Sequence, residues 1–210
     1  MKEHCPNVIE VIGVGKVNAV PDEAVIVLGV DSQGLELQKV QAENAATVST
    51  IIRSLLALSV PRENIQTTDY RIEPQYDYPD GKAVFRGYKV THLLRIENGE
   101  IGLTGQIVDT AVSQGANNVS SISFDVKHRE AYVQEALSLA IRNARQKAEA
   151  IAVTLRIPLP ALPCEVQELP PASGPVPYSA ALYAKSEAAT PIQPGQISIT
   201  ASVRVTYPIS

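Results

Sequence analysis

Gly13-Val14-Gly15-Lys16 is the stretch whose residue types first suggest chemistry, because glycines ahead of a lysine can bring backbone N–H groups and an ammonium to a phosphate. The spacing does not carry it. A P-loop needs a glycine five positions before the one preceding the lysine, where Glu10 stands, and a Ser or Thr after the lysine, where Val17 stands. The dinucleotide fingerprint fails at Asn18, which occupies the place of its third glycine. Gly13 and Gly15 therefore read as structural strand glycines. The histidines are scattered over a tail (His4), a strand (His92) and a helix start (His128), none with a carboxylate or cysteine at catalytic or ligand spacing. His92 shares its face with Tyr88, Val90 and Leu94 and reads as a packed or interface residue. Cys5 and Cys164 lie at opposite ends of the chain without a C-x-x-C pair, so neither zinc nor a disulfide is expected. Asp22 with Glu23, and Glu165 with Glu168, are solvated pairs by position, and no G-x-S-x-G elbow is present. No catalytic residue, metal ligand or cofactor is assigned.

The aromatic residues are more informative. Tyr76 and Tyr78 fall at a hairpin tip, Gln75 to Gly81, in a chain with 8 Tyr and 2 Phe. Tyrosine at a tip either anchors a partner or packs on its own domain, and the residues leave both readings open. The Pro/Ala-rich loop 170–194 carries Tyr178, Leu182 and Tyr183, which either dock on a partner or belong to a flexible spacer. These five residues are the candidate oligomer or partner contacts.

The elements that position them follow from periodicity. Val8 to Val20 and Ala24 to Asp31 read as strands, joined as a hairpin at Pro21-Asp22. From Leu35 the spacing is helical until Pro61. Ile65 to Pro74 and Phe85 to Glu97 are strand-like around the turn Pro79-Asp80-Gly81. Ile101 to Ser113 is a short helix stopped at Gly115, and Val119 to Val126 a strand. A second long helix spans Glu130 to Arg156, with Val133, Leu137, Ala140, Ile141, Ala144, Ala148, Ile151 and Leu155 in its apolar stripe. Its alanines allow close approach to a sheet. Cys164 to Leu169 is a short strand, and Gly195 to Tyr207 alternates strictly, so its dry face must be covered by elements from much earlier in the chain.

This order predicts an α+β fold of two interlocked subdomains with antiparallel sheets, two long helices and one short one. The expected division is 1–64 plus 195–210 for an outer subdomain, 65–169 for a ferredoxin-like one, and 170–194 for the loop. At 210 residues the chain buries a core without metal or disulfides. Its net charge of −4, with no run of Lys and Arg longer than two residues, argues against nucleic acid. No segment reaches the length of an apolar membrane span.

The order and spacing of Gly13-Val14-Gly15, Pro21-Asp22, Ile65-Gln66-Thr67, Pro74-Gln75-Tyr76-Asp77-Tyr78, Gly87-Tyr88, Val90, Gly115-Ala116-Asn117, Ala144, Lys147-Ala148 and the closing Ile192 to Tyr207 segment resemble the SIMPL-domain family, the YggE-like proteins associated with oxidative-stress defence. The resemblance implies two interlocked subdomains, assembly into rings or channel-like oligomers, no known catalytic residues, and export in many bacterial members. The expectation is a non-enzymatic, self-assembling protein linked to oxidative-stress defence. The alternatives are a small-molecule-binding protein or enzyme with a cleft between subdomains, and a protein–protein adaptor acting through the 170–194 loop. Without a signal peptide in the chain as it stands the expected location is the cytoplasm, or the periplasm or cell envelope if an export signal preceded it.

Overall fold

The alternating tail forms β8 (Gln196–Pro208), and both the strand that pairs with it and the helix that covers it come from far away in sequence. The computed structural model describes residues 7–170, 177–178 and 190–209. It groups the chain into two units, the first of Met1–Val20, Val126–Ala181 and Gly195–Ser210, the second of Pro21–Asp125 and Leu182–Pro194.

In the first unit β1 (Val8–Ala19) pairs antiparallel with β8 over its whole length. The short β6 (Glu165–Leu169) pairs with the other side of β8, as does the two-residue β7 (Pro177–Tyr178). One face is dry: Ile9, Val11, Ile197, Ile199, Ala201, Val203, Val205 and Tyr207 are buried under α3 (Arg129–Leu155). The helix meets this face through Ala136, Ala140, Ala144, Ala148 and Ala152, all buried. This corrects the expected stripe, since Ile141, Ile151 and Leu155 are 43%, 38% and 58% exposed. The reason is distance. A Cβ on Gly15 would lie 1.9 Å from the carbonyl oxygen of Ala136, and one on Gly13 would lie 2.0 Å from that of Ala140. Backbones this close leave room for alanine and exclude branched side chains.

In the second unit the strand order is β3 (Ile65–Asp77), β4 (Val84–Asn98), β2 (Glu23–Gly34), β5 (Asn118–Asp125), all antiparallel. The helices α1 (Leu37–Ala57) and α2 (Thr104–Ser113) give it the element order β-α-β-β-α-β. That order in this arrangement is a ferredoxin-like plait. Its core joins Ile26, Leu28 and Val30 of β2 with Leu94 and Ile96 of β4, Ile51 and Leu55 of α1, and Ile107 and Ala111 of α2.

The plait is therefore built from residues 21–125 where the sequence suggested 65–169, and the expected hairpin of β1 with β2 does not form. Ala24, Val25, Ile26, Leu28 and Val30 give β2 buried side chains on both faces, the property of a central strand. Between β4 and β5 it has no free edge for β1, which takes β8 instead. The α+β class, the antiparallel sheets and the two long helices with one short helix are as expected among the described residues.

All three helices end the same way with different residues. After α2, Gly115 adopts φ 103° and the Ala116 N–H reaches back to the carbonyl of Ala111, a Schellman stop. Ser59 (φ 64°) ends α1 with the Val60 N–H on Leu55, and Arg156 (φ 58°) ends α3 with the Ile157 N–H on Ala152. The left-handed conformation costs an L-residue with a Cβ about 1–2 kcal/mol. Arg156→Gly relieves this cost at the expense of a more flexible unfolded chain, so it should stabilise by ~0.5–1 kcal/mol. For a chain of this size that raises Tm by about 1–4 °C, measured by thermal unfolding; an unchanged or lower Tm would show that the Arg156 side chain holds the turn.

Candidate functional site

β4 is longer than β2 beside it, and this leaves its first residues without a partner on that side. Its residues Tyr88 to Ile96 pair with β2 on one side and β3 on the other, but Val84 to Gly87 pair with β3 alone. Residues 75–87 therefore project past β2 as a two-stranded arm. The turn is closed by Asp80 (φ 51°) and Gly81 (φ 77°), with the Gly81 N–H donating to Tyr78 and the Lys82 N–H to Pro79. Arg86 faces Asp77 at 3.5 Å.

Along the arm Tyr76 meets Phe85 edge-on at 5.8 Å, and Phe85 meets Tyr88 edge-on at 5.1 Å, the geometry that aromatic quadrupoles favour. Towards the tip the apolar side chains are not covered: Tyr76 is 47% exposed, Phe85 43%, Val84 50% and Tyr78 68%. A small depression of about 240 Å³ at the base of the arm is lined by Gln33, Gly34, Leu35, Gln75, Arg86, Gly87 and Tyr88.

Of the five contact residues expected from sequence, Tyr76 and Tyr78 come together on this arm. Tyr178 falls in the other unit, where its backbone pairs with Gln196. Leu182 and Tyr183 lie outside the described residues. Phe85, which joins the tyrosines into one cluster, was missed because strict alternation puts Phe85 and Tyr88 on opposite faces. The register shifts by one residue between Gln75 and Tyr76, and Gly87 takes φ 144° opposite that shift. Such a bulge re-aims side chains. The downstream end of the 170–194 loop is held on its own unit: Thr190 donates its N–H and hydroxyl to the carboxylate of Asp109 on α2, which lowers the Asp109 pKa.

Two polar groups elsewhere in this unit are held by neighbouring side chains. Asp31 accepts from the Thr91 hydroxyl at 2.6 Å and the Lys89 ammonium at 3.0 Å, with Asn118 at 3.3 Å. Partial burial raises its pKa, and these donors outweigh that and hold it below the usual value. His92 contacts Thr67 at 3.0 Å and the edge of Tyr70, and burial lowers its pKa. Among the described residues no three His, Cys, Asp or Glu side chains cluster as metal ligands, and no helix is long and apolar enough to cross a membrane. Cys164 is a free thiol whose Sγ lies 3.3 Å from the Thr206 carbonyl.

The family model for SIMPL, described as a protein of unknown function (DUF541), matches residues 9–207. The chain belongs to the SIMPL family. Among curated SIMPL relatives, the 26 kDa periplasmic immunogenic protein of Brucella melitensis is 28% identical over 97% of this chain and 85% of its own length. The uncharacterised protein YggE of Escherichia coli is 27% identical over 67% of this chain, and that of Edwardsiella ictaluri 25% identical over 67%. The matched region spans 57% and 59% of those two proteins' own lengths.

Proposed function

We propose that this SIMPL protein is a non-enzymatic, self-assembling protein whose projecting arm is a subunit contact, with Tyr76 and Tyr78 as its anchors and assembly proceeding to a ring or channel-like oligomer. One observation carries the reading. A two-stranded ribbon is marginal in water, yet this one bears three solvent-exposed aromatic residues and Val84, the composition of an interface centre. Asymmetric insertion of an arm into a neighbour is a head-to-tail contact, which closes rings when the rotation permits. The relative that is named periplasmic supports an envelope location for this chain as well. The link to oxidative-stress defence comes from the family resemblance, and the proposed role is architectural, since one Met and two Cys supply little capacity to consume oxidant.

The test is absolute mass by light scattering on a sizing column over a concentration series. The wild type should elute as a discrete multiple of 22.5 kDa, and Tyr76→Ala combined with Tyr78→Ala should elute as a smaller species with an unchanged circular dichroism spectrum. A monomeric wild type, or a double variant of unchanged mass, overturns the reading.

A further inference from the structure

Long edge strands of this protein end in two different ways. The free edge of β1 is closed at its centre by side chains of α3: Asn143 Oδ1 accepts the Val14 N–H at 3.1 Å, and Lys147 Nζ donates to the Ile12 carbonyl at 2.7 Å. This occupies backbone groups on which another strand would pair. Among the described residues no side chain closes the outer edge of β3 in this way. Pro74 stands opposite Tyr88 in the β3–β4 ladder with no N–H to give. A proline is tolerated in a paired strand when its nitrogen faces the free edge. Between the register shifts at Thr67/Asp69 and Gln75/Tyr76 the strand is regular, so Tyr70 and Ile72, of the same parity, also turn their N–H and C=O groups outward.

We infer that the outer edge of β3 is the strand-addition surface for a second copy of this chain, paired antiparallel about a two-fold axis at Ile72. The inference rests on the proposed self-assembly and names a second interface for it, separate from the arm. In this register each Ile72 exchanges two hydrogen bonds with Ile72 of the partner subunit. The Tyr70 N–H donates to the carbonyl of Pro74 of the partner subunit, which needs no N–H from the proline, and symmetry repeats that bond. Four main-chain bonds join two four-stranded sheets.

The side chains agree with this register. On the face of Tyr70 and Ile72, which are 44% and 38% exposed, isoleucine meets isoleucine and tyrosine meets proline. On the other face Arg71, which already holds Asp69 of its own strand at 2.9 Å, lies opposite Glu73 of the partner subunit, twice, so that each guanidinium would be shared between two carboxylates. Glu73 stands across from Lys89 within its own chain, but Lys89 is held by Asp31 at 3.0 Å, which leaves Glu73 in want of a cation. An axis at Arg71 would instead oppose arginine to arginine and Asp69 to Glu73, pairs that repel. The antiparallel arrangement also sends the two arms in opposite directions, free for further contacts. β5, the other edge of the same sheet, is shorter at eight residues and carries Ser120, Ser121 and Ser123.

The test uses Ile72→Cys with Cys5→Ser and Cys164→Ser. Opposed residues on the axis lie about 5.5 Å apart at Cα, within disulfide reach, so mild oxidation should convert most of the protein to a covalent dimer. Tyr70→Cys in the same background should give no dimer, because four residues of offset separate its copies by about 14 Å. A mixture of Tyr70→Cys and Pro74→Cys proteins should cross-link. Ile72→Pro, whose lost N–H faces the edge, should keep the monomer's fold and abolish the dimer that the arm variants leave behind. If the wild type is oligomeric and position 72 does not cross-link, the β3 interface is wrong and the arm reading stands; if the wild type is monomeric, self-assembly itself fails and this interface with it.

Discussion

Gly15→Ala should unfold the first unit or cost it most of its stability. The added methyl would lie 1.9 Å from the Ala136 carbonyl oxygen and 2.6 Å from the Ala140 nitrogen, atoms of a helix backbone that no rotamer change can move. Overpacking a core costs about 1–3 kcal/mol and sometimes more; here relief requires lifting α3 off β1 along its alanine line, so at least ~3 kcal/mol is expected against a typical total of about 5–15 kcal/mol. Because the collision is with backbone, Ala136→Gly should not rescue it. Gly102→Ala is the control, since its methyl would meet no atom within 4 Å. Urea unfolding of the wild type and the three variants decides the matter: a wild-type midpoint for Gly15→Ala would mean that helix and strand can separate at little cost.

Asn44→Asp should be the most damaging isosteric change in the second unit. Asn44 is 1% exposed on α1, and its Nδ2 donates to the carbonyl of Val30 on β2 and to the Ser32 hydroxyl, with the carbonyl of Val90 on β4 at 3.4 Å. The amide thus ties the helix to both central strands, while its Oδ1 is buried without a partner among the described residues. A carboxylate there would face acceptors and carry an unpaired buried charge, which costs about 3–5 kcal/mol. Burial without a cation raises the folded-state pKa of the new aspartate above its unfolded value. The penalty is therefore full well above that raised pKa and shrinks as pH falls through it toward the unfolded value near 3.9. Chemical denaturation at pH 7.5 and pH 4.5 should show a large deficit relative to wild type at the first and a smaller one at the second. Equal stability at pH 7.5, or a deficit that grows toward acid, would refute the assignment.

Asn44 is also where sequence reading is blind. A polar residue beside Glu43 reads as part of the solvated face of α1, yet Asn44 is buried on the line of Val40, Val48 and Ile51, and only the two carbonyls above it explain this. Phe85 is a similar case, hidden by a register shift that alternation cannot register. Tyr76 and Tyr78 were legible because turn chemistry at Pro79-Asp80-Gly81 is local and marks the tip directly. Gly13 and Gly15 were recognisable as structural by what they lacked for phosphate binding, but that α3 presses on them was not.

Local rules therefore determined where the elements begin and end: alternation marked β1, β4 and β8, helical spacing marked α1 and α3, and Gly115 marked the stop of α2. These features depend on neighbours within a few residues, whose backbone preferences and burial pattern the sequence states outright. Partnership between elements was decided only by the tertiary structure. β1 and β2 are adjacent in sequence and joined at Pro21-Asp22, yet a strand buried on both faces must be central, and a strand with one dry face takes whichever partner covers it. That competition is settled by the burial of the whole chain, so β1 pairs with the distant β8, from Val8 opposite Pro208 inward to Ala19 opposite Ile197, and the ferredoxin-like plait closes around residues 21–125 without it.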